Sequence, residues 1–581
     1  MSLETLSDPH ASGDVSSSSN LDFWKEEIRR GVKYRTQYGR SLDWVEYKKM
    51  YRGLWAKGTV PVNIVYAIGK SLIPQIYFRN PRVGITAKKP GMMAQAMVLE
   101  RLDNYLVKAT GLKTEMKLNI LDSYLCGRGP GIIGYDSEFG FDPVLVEGSE
   151  LQDSALSSFN DEGEKIEYSD GVVPGMPWYK RCNPEDFVVP WGCDRWENSR
   201  WFAFRKMRSL RDIKDDKKYE NTSTLTAKFV TKLEGSTDGN SQDKIRQGEG
   251  DGEAEWVELF EIHDKRTRKV MVLSLDHDHW LRNDEDHLQF NDLPARVLGF
   301  NEDPDFFWWT PDVRLIQTQQ LELNDIRTMA SRHRRLAVLK MAVDKNIDPA
   351  ELTKLLDGDP KTFVRIDVGT QGDIRKMVAM FQSHVPPDLI SEAAQSREDV
   401  REVIGFSRNQ QGSFEAPGGR RTATEVNTVR QAALIRIDER RDAMADHFES
   451  IIRGYNHIIF SNWKDKRIID IVGRDGVKYW VSFTGDEIKG DYNYTINPEE
   501  QTPQDPQTRR ADAEAFMTIG SKIPGINMQY VMQQWARQFD WIDPTQLLPG
   551  EGPGRSPESP LPFNDFAARI GQIESSFPGL G

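Results

Sequence analysis

The stretch that decides the fold is Trp309-Thr-Pro-Asp-Val-Arg-Leu-Ile-Gln-Thr-Gln-Gln-Leu-Glu-Leu-Asn324, where the pattern changes to one uninterrupted helix over residues 311–335. Its positions at helical spacing form a single narrow stripe: Leu315, Gln319, Leu323, Ile326 and Ala330. Polar residues occupy most of the remaining surface. Because such a helix can bury little within its own subunit, we expect it to pack against copies of itself in a ring or bundle.

Two further helices follow along the chain. One is predicted over residues 386–405, since Pro386-Pro387 suits a first helical turn and Gly405 supplies a C-terminal stop. The longest helical signal covers residues 424–463, with apolar residues at the helical period: Val426, Val429, Ala433, Ile437, Met444, Phe448, Ile451 and Tyr455. The glycine-rich residues 409–421 between these helices predict a flexible loop.

Shorter elements are predicted around these three helices. Residues 336–381 favour a compact α/β segment, with strands at 336–343 and 363–368. Strands are also expected near the C-terminus, at 467–472, 477–483 and 492–496. The chain is therefore predicted to belong to the α+β class.

The sequence of the N-terminal half predicts several helices followed by strands. Helical periodicity begins near Leu21, and one helix, over 62–77, is expected to stop at Pro74. Short apolar runs bounded by glycine and proline then predict strands at 131–135, 178–181, 187–190, 256–263 and 269–275. Two polar inserts, 147–171 and 221–255, are predicted to be long loops with almost no apolar anchor.

Both ends of the chain are predicted to differ from the folded part. Residues 1–20 end in a run of serines and are expected to be disordered. Residues 501–540 predict a last helical region, and residues 541–581 are rich in proline and glycine and are expected to be flexible.

Composition limits the classes of function. The chain has 581 residues and a formal net charge of −13. Proteins that grip duplex DNA tightly carry basic faces, because phosphate neutralisation supplies most of the affinity. We therefore expect any contact with DNA to be weak, local or transient, and an acidic wall would let a duplex slide.

The chain carries no sign of secretion or of membrane insertion. Its three cysteines, Cys126, Cys182 and Cys193, include no CxxC pair and are expected to be reduced thiols. The first residues lack the basic start and apolar core of a signal peptide, and no apolar run approaches the roughly 18 residues of a membrane span. We expect a soluble protein made in the cytoplasm.

Two motifs contain residue types of metal or nucleotide sites, and for each of them a structural role is favoured. His277 and His279 alternate near several aspartates, which suits a metal site, but hairpin tips commonly hold solvated acidic and histidine side chains. Gly127-Arg-Gly-Pro-Gly131 superficially resembles a nucleotide loop but lacks the following Lys-Ser/Thr, so a turn into a strand is favoured. No GxSxG elbow occurs. We predict no catalytic residue, cofactor or metal.

The order of elements and several local strings resemble the portal proteins of tailed bacteriophages. The stretch Asn63-Ile-Val-Tyr-Ala-Ile-Gly-Lys-Ser-Leu-Ile-Pro-Gln-Ile-Tyr-Phe-Arg-Asn-Pro81 is similar to the N-terminal segment of many portals. Leu293-Pro-Ala and the 309–324 stretch resemble the start of their first stem helix. Arg420-Arg-Thr-Ala-Thr-Glu-Val-Asn427 resembles the segment after their tunnel loop. The resemblance covers about residues 21–539, and the order of the elements is its specific part.

The resemblance implies a portal-like organisation. Its parts would be an α/β wing (21–310), stem helices (311–335 and 386–405), a clip (336–381), a tunnel loop (406–421), a long helix with further wing strands (422–500) and a helical crown (501–540). About a dozen subunits would form a ring with an axial channel at one vertex of the capsid. Double-stranded DNA would pass through it during packaging and ejection.

The resemblance also implies partners and candidate sites. The partners are other copies of the chain, duplex DNA, the terminase large subunit, tail adaptor proteins, and the major capsid and scaffolding proteins. The candidate tunnel-loop residues are Gln411, Gly412, Ser413, Phe414, Gly418, Gly419, Arg420 and Arg421. The candidate clip residues are Lys354, Asp357, Asp359 and Lys361. The candidate stem residues, facing the channel or a neighbouring subunit, are Gln319, Asn324, Arg327, Arg332, Arg334, Arg335, Arg397 and Arg401.

Several basic groups allow two interpretations. Arg420 and Arg421 could touch phosphates briefly or pair with Glu415 or Glu425. The cations at 327–335 could contact DNA or a neighbouring subunit, or simply complement the helix dipole.

On the long helix, Arg436, Arg440 and Arg441 alternate with carboxylates, which favours a salt-bridged subunit interface over a nucleic-acid face. Two rival functions remain for the chain as a whole: another structural protein of the head and neck, or a nucleic-acid-processing enzyme of the packaging machine. The first would lack the helix–clip–helix order, and the second needs a catalytic constellation.

Overall fold

A computed structural model describes most of the chain in two compact units. The described residues are 17–77, 80–89, 91–135, 176–216, 218–227, 229–232, 251–286, 288, 290, 292–336, 340–343, 378–381, 388–405, 423–472, 478–496, 514–515, 517–518 and 560–576. The first unit comprises residues 1–48, 69–312 and 421–581, and the second comprises 49–68 and 313–420. Helices and sheets both contribute, so the predicted α+β class is confirmed.

A large antiparallel sheet forms part of the first unit. Its strands are β4 (Phe187–Val188), β5 (Trp201–Ser209), β6 (Phe229–Lys232), β7 (Asp251–Asp264), β8 (Lys269–Leu273) and β9 (Arg282–Glu285). They lie in the order β4-β5-β7-β8-β9, with β6 also paired to β7. The helix α1 (Ser17–Gln37) packs Leu21, Trp24 and Ile28 against this sheet. Each fully buried large side chain of this kind contributes about 1.5–3 kcal/mol.

A second, three-stranded sheet has the order β10-β2-β3, formed by β10 (Ala295–Gly299), β2 (Arg128–Tyr135) and β3 (Pro177–Arg181). The helices α2 (Ser41–Arg52), α3 (Ile64–Ile76), α4 (Met93–Ala109), α5 (Leu112–Cys126) and α6 (Leu210–Asp215) complete the N-terminal half. The residue between α5 and β2, Gly127, has φ +84°, a conformation that favours glycine. A turn into a strand, as predicted, is therefore its role.

The long helix α9 (Ala423–Asn462) crosses the second sheet. A buried polar contact joins them: the hydroxyl of Tyr179 on β3 lies 3.1 Å from Nε2 of His447 on α9. Burial lowers the pKa of His447 to about 3, so the imidazole is neutral. On α9 the buried apolar residues recur at helical spacing: Ile437, Met444, Phe448, Ile451, Tyr455, Ile458 and Ile459. This confirms the predicted helix within two residues at either end.

The C-terminal strands and a last helix complete the first unit. The strands are β1 (Val83–Ala87), β13 (Arg467–Val472), β14 (Lys478–Phe483), β15 (Tyr492–Ile496) and β16 (Leu561–Pro562). They form two sheets, β1-β15 and β13-β14-β16. The helix α10 (Phe563–Ser576) follows directly. Phe563, Phe566 and Ile570 are buried, so the predicted flexible tail is wrong for residues 561–576.

In the second unit, two antiparallel strands lie between two helices in sequence. The helices are α7 (Asp312–Leu336), whose first residue belongs to the first unit, and α8 (Asp388–Ile404). Between them in sequence come β11 (Lys340–Val343) and β12 (Val378–Phe381), which pair antiparallel. Both helices match their predicted spans within two residues. Gly405 has φ +74° and donates its backbone N–H to the carbonyl oxygen of Arg401 at 2.8 Å, which confirms the predicted stop.

Several predicted boundaries need correction. Helix α1 begins at Ser17, so the predicted disordered tail of residues 1–20 is too long. Helix α3 continues through Pro74 to Ile76, because a proline near a helix end removes only one hydrogen bond. In the predicted clip, Leu336 is the last residue of α7 and not part of the first strand, and Lys340–Val343 pair with Val378–Phe381. The predicted strand at 363–368 lies outside the described residues.

The polar insert 221–255 is also more ordered than predicted. Part of it forms β6 and the start of β7, and Leu225 is buried in a cluster with Val257 and Leu259. Strand β5 has no counterpart in the predictions, although it is central to the large sheet. The insert 147–171 lies outside the described residues. Among the helices that the structure describes, none combines the length and apolar character needed to cross a membrane.

Candidate functional site

Helix α7 presents a line of buried polar side chains. Gln320, Asn324 and Thr328 lie four residues apart, so they follow one another along a single face of the helix. Gln320 is fully buried, and Asn324 is 2% exposed. Buried amides need hydrogen-bond partners, since leaving one unpaired costs about 1–3 kcal/mol. Their partners lie in the second unit itself, on residues 60–65.

This segment, which we call the strap (residues 60–65), donates its backbone N–H groups to the polar line. The N–H of Val60 donates to Oγ1 of Thr328 at 3.0 Å, and the N–H of Val62 donates to Oδ1 of Asn324 at 3.0 Å. The N–H of Ile64 donates to Oε1 of Gln320 at 2.9 Å. Alternate strap residues therefore bind successive turns of α7.

Side-chain amides complete this connection. Nε2 of Gln320 donates to the carbonyl oxygen of Val62 at 2.8 Å and to Oδ1 of Asn324 at 3.0 Å. The acceptors on α7 are four residues, or about 6.0 Å, apart, and the strap advances by two residues from one acceptor to the next. The backbone turns within the strap, since the N–H of Ile64 also donates to the carbonyl oxygen of Val62 at 2.8 Å.

The same contacts cap the N-terminus of α3, whose first N–H groups have no partner within the helix. Oε1 of Gln320 accepts from the N–H of Val65 at 3.3 Å as well as from that of Ile64. Oδ1 of Asn63 accepts from the N–H of Tyr66 at 3.0 Å, as an N-cap residue does. Side chains of α7 therefore bind the strap both before α3 begins and at the first residues of α3.

The outer surfaces of the second unit are unusually apolar. Eleven large apolar side chains are exposed in the part of the chain that the structure describes, and seven belong to this small unit: Leu54, Tyr66, Leu315, Leu321, Met329, Ile390 and Val403. Five of these seven lie on α7 and α8. The two helices also contact each other, since the hydroxyl of Ser396 donates to the carbonyl oxygen of Gln319 at 3.2 Å.

The predicted stripe of α7 is only partly right. Leu323 and Ile326 are buried as predicted, but Leu315 is 43% exposed. The buried face is centred instead on Gln320, which hydrophobic periodicity cannot detect. Asn324 was predicted to face the channel or a neighbouring subunit, and this prediction is wrong because its side chain is buried against the strap.

The predicted stem arginines lie mainly on the surface. Arg327, Arg332, Arg334 and Arg335 of α7 and Arg397 of α8 are exposed. Arg401 is half-buried and pairs with Glu398 at 3.1 Å on its own helix. Gln319 is half-buried, and its Oε1 has no hydrogen-bond partner among the described residues. The predicted tunnel-loop residues (411–421) and clip residues (354–361) lie outside the described part of the chain.

In the first unit, the residues just before α7 pack closely against β2 and its flanking glycines. The guanidinium of Arg128 stacks on the ring of Trp309, 3.3 Å from its centroid, and Nε donates to the carbonyl oxygen of Phe307 at 2.9 Å. Burial lowers the pKa of Arg128 to about 9. A Cβ atom at Gly127 would collide with the Trp309 carbonyl oxygen, and one at Gly299 with its indole ring. The glycines of the 127–131 motif therefore permit close packing.

An ion pair fixes the first residue of α7. Arg440 of α9 binds both carboxylate oxygens of Asp312, at 2.7 and 3.0 Å, and Nδ2 of Asn301 donates to Oδ1 at 3.2 Å. The Asp312 side chain is only 1% exposed. Arg441 pairs with Asp438 at 2.7 Å and donates to the carbonyl oxygen of Gln75. The predicted salt bridges exist, but those of Arg440 and Arg441 lie within the chain, which corrects the predicted subunit interface.

The remaining candidates show no catalytic arrangement. The rings of His277 and His279 contact each other edge to face, with centroids 5.6 Å apart. Among the described residues, no group of three or more His, Cys, Asp or Glu side chains is placed to hold a metal ion. The three cysteines are free and buried, and burial raises the pKa of each thiol.

No protein-family model matches the chain, and no curated protein matches it significantly.

Proposed function

We propose that this chain is the subunit of a bacteriophage portal, a ring at one capsid vertex through which duplex DNA is packaged and ejected. In this proposal, α7 and α8 are the stem helices, and the paired strands β11 and β12 belong to the clip that docks terminase and then tail adaptor proteins. Residues 406–421 are the tunnel loop, and α9 is the helix behind it.

One observation carries the proposal. The second unit exposes five large apolar side chains on two long helices, and the described residues of the unit leave them uncovered. Monomeric proteins rarely expose such a concentration, and exposed apolar patches commonly mark protein–protein contacts. Neighbouring copies of the same helix pair would cover these side chains.

The order of elements gives further support. A helix, a pair of antiparallel strands and a second helix interrupt the large α+β unit, which continues afterwards with the longest helix in the described part of the chain. The net charge of −13 suits a channel that does not hold DNA tightly.

The first test is the oligomeric state of the purified protein. Negative-stain electron microscopy and light-scattering mass on one sample, repeated at high protein concentration, should show rings with a central hole and about a dozen subunits. A monomer at every concentration, or a small closed oligomer without a channel, would overturn the proposal.

A second test addresses the loop. Deletion of residues 409–421 should leave ring assembly intact but impair DNA packaging or genome retention, because the segment has no core-forming residues. Loss of rings in this variant would contradict the tunnel-loop assignment.

A further inference from the structure

The exposed large apolar side chains of the first unit lie in two places. At the first place the rings of Tyr38 and Trp191 are in contact, and Leu42 comes shortly after Tyr38 in the chain, in the first turn of α2. Leu118 stands apart from them, on α5, next to Lys117. These four complete the set of eleven in the described part of the chain.

The first place is a preformed aromatic shelf, which we define as Tyr38, Trp191 and Phe306. The ring of Tyr38 stacks on Phe306 with centroids 4.9 Å apart and meets Trp191 edge to face at 5.6 Å. Tyr34 lies beneath, with its ring 5.7 Å from Trp191 and its hydroxyl donating to the carbonyl oxygen of Cys193 at 2.6 Å. Rings fixed in this way lose little conformational entropy on binding a partner.

The segments that carry the shelf are acidic. The loop around Phe306 contains Glu302, Asp303 and Asp305, and the loop after Trp191 contains Asp194 and Glu197. Two cations lie in the same segments: Arg195, which is exposed, and Arg40, which pairs with Asp43 at 2.8 Å. The surroundings of the shelf are therefore negative overall.

The second place, around Leu118, is basic. Lys113 and Lys117 lie one turn apart on α5, and Lys70 of α3 is close enough to interact with them electrostatically. Burial, and then repulsion from Lys113 and Lys70, lower the pKa of Lys117. Within the described residues, Lys113 and Lys117 form no ion pair. We call Lys70, Lys113, Lys117 and Leu118 the lysine patch.

We propose that the aromatic shelf of one copy docks against the lysine patch of the next copy. The carboxylates near the shelf would neutralise lysines that now repel one another, and the lysine stems and Leu118 would cover the rings. Two different surfaces of one chain meet in such a contact, and a heterologous contact closes into a ring when its rotation allows. The inference rests on the proposed ring and adds a second contact outside the helices α7 and α8.

Charge reversal on both surfaces tests the contact. K113E/K117E changes two lysines that have no ion pair to lose among the described residues, and E302K/D305K changes two exposed carboxylates near the shelf. Each double variant should reduce the fraction of protein in rings at least tenfold in sedimentation velocity. The variant with all four changes should restore it, because the charges are again complementary. K214E/K218E, on exposed lysines elsewhere in the first unit, is the matched control.

The outcomes separate this contact from the proposed function. If the wild-type protein forms rings and K113E/K117E forms them equally well, the docking proposal fails while the ring proposal stands. If both double variants fail to assemble and the combined variant does not recover, specific pairing of these surfaces is also excluded. A wild-type protein that never forms rings contradicts both proposals. Unchanged far-UV circular dichroism shows that each variant folds.

Discussion

Buried polar groups find their partners in different ways in the two units. In the first unit, charges are buried in pairs, such as Arg440 with Asp312, inside a large core of sheets and helices. In the second unit, amides on α7 bind the backbone of the strap, and apolar side chains remain outside. The first unit therefore buries most of its large apolar side chains in a core, whereas the second exposes five of them on α7 and α8.

The largest expected effect lies in the first unit. Arg440→Met should lower the free energy of unfolding by about 3–5 kcal/mol, because it leaves the carboxylate of Asp312 buried without its cation. Urea unfolding measures the change. Arg453→Met on the same helix is the control: its pair with Glu449 is exposed, so the loss should stay below about 0.5 kcal/mol. Equal losses in the two variants would show that burial of the Asp312 pair does not matter.

In the second unit, two adjacent glutamines should behave differently. Gln320→Leu removes the side-chain acceptor of the N–H groups of Ile64 and Val65 and should cost about 2–3 kcal/mol. Gln319→Leu removes a buried oxygen that has no hydrogen-bond partner among the described residues, and should cost much less. Amide hydrogen exchange at Val62, Ile64 and Val65 reports the difference. If exchange rises equally in both variants, the polar line does not hold the strap.

A buried acid in the first unit should make stability depend on pH. Asp103 on α4 is fully buried and accepts a hydrogen bond from Nδ2 of Asn456 on α9 at 2.9 Å. Burial raises the pKa of Asp103 well above its usual value, so the native protein holds a proton that the unfolded chain releases.

This raised pKa sets the direction of the effect. The stabilisation is complete below about pH 4, where the unfolded chain is also protonated, and is lost as pH rises towards the native pKa, by up to about 1.4 kcal/mol per pH unit. Asp103→Asn should lack this dependence. Urea unfolding of both proteins from pH 4 upward gives the difference, and a difference that stays constant with pH would show that Asp103 is ionised in the native protein.

The smallest expected effect concerns the outer face of α7. Met329→Ser should change the stability of the monomer by less than about 0.5 kcal/mol, because the side chain is 43% exposed, but should weaken ring assembly. Leu323→Ser, on the buried face, should cost about 2–5 kcal/mol. Thermal unfolding and light scattering on each variant separate the two roles. Rings that form normally with Met329→Ser would remove this position from the contact.

The sequence predicted those parts of the fold that depend on local signals. The helices α7, α8 and α9 were placed within two residues, because apolar periodicity, Pro386 and Gly405 act over one or two turns. Strand β5 was missed, although the sheet pairs it along its whole length with β7 and its first four residues, Trp201-Phe-Ala-Phe204, are apolar. The charged residues that follow, Arg205, Lys206 and Arg208, hide the strand pattern in its second half.

The candidate site was harder to predict for the same reason. Gln320 and Asn324 read as polar surface positions, yet their partners lie more than 250 residues away in sequence. A signal did exist: three hydrogen-bonding side chains at four-residue spacing on one helix face. A pattern based on hydrophobicity counts them as solvent-exposed, so the prediction placed Asn324 on the wrong side of the helix.

The strap and α7 share a repeat, and this limits how the strap can move. Each hydrogen-bonding position on the helix lies one turn, about 6.0 Å, from the next, and the strap advances by two residues between them. Three positions, at Thr328, Asn324 and Gln320, keep every hydrogen bond at or below 3.3 Å. Because these acceptors are spaced by a whole turn, a strap that slipped could form the same contacts again only after moving by a whole turn of the helix.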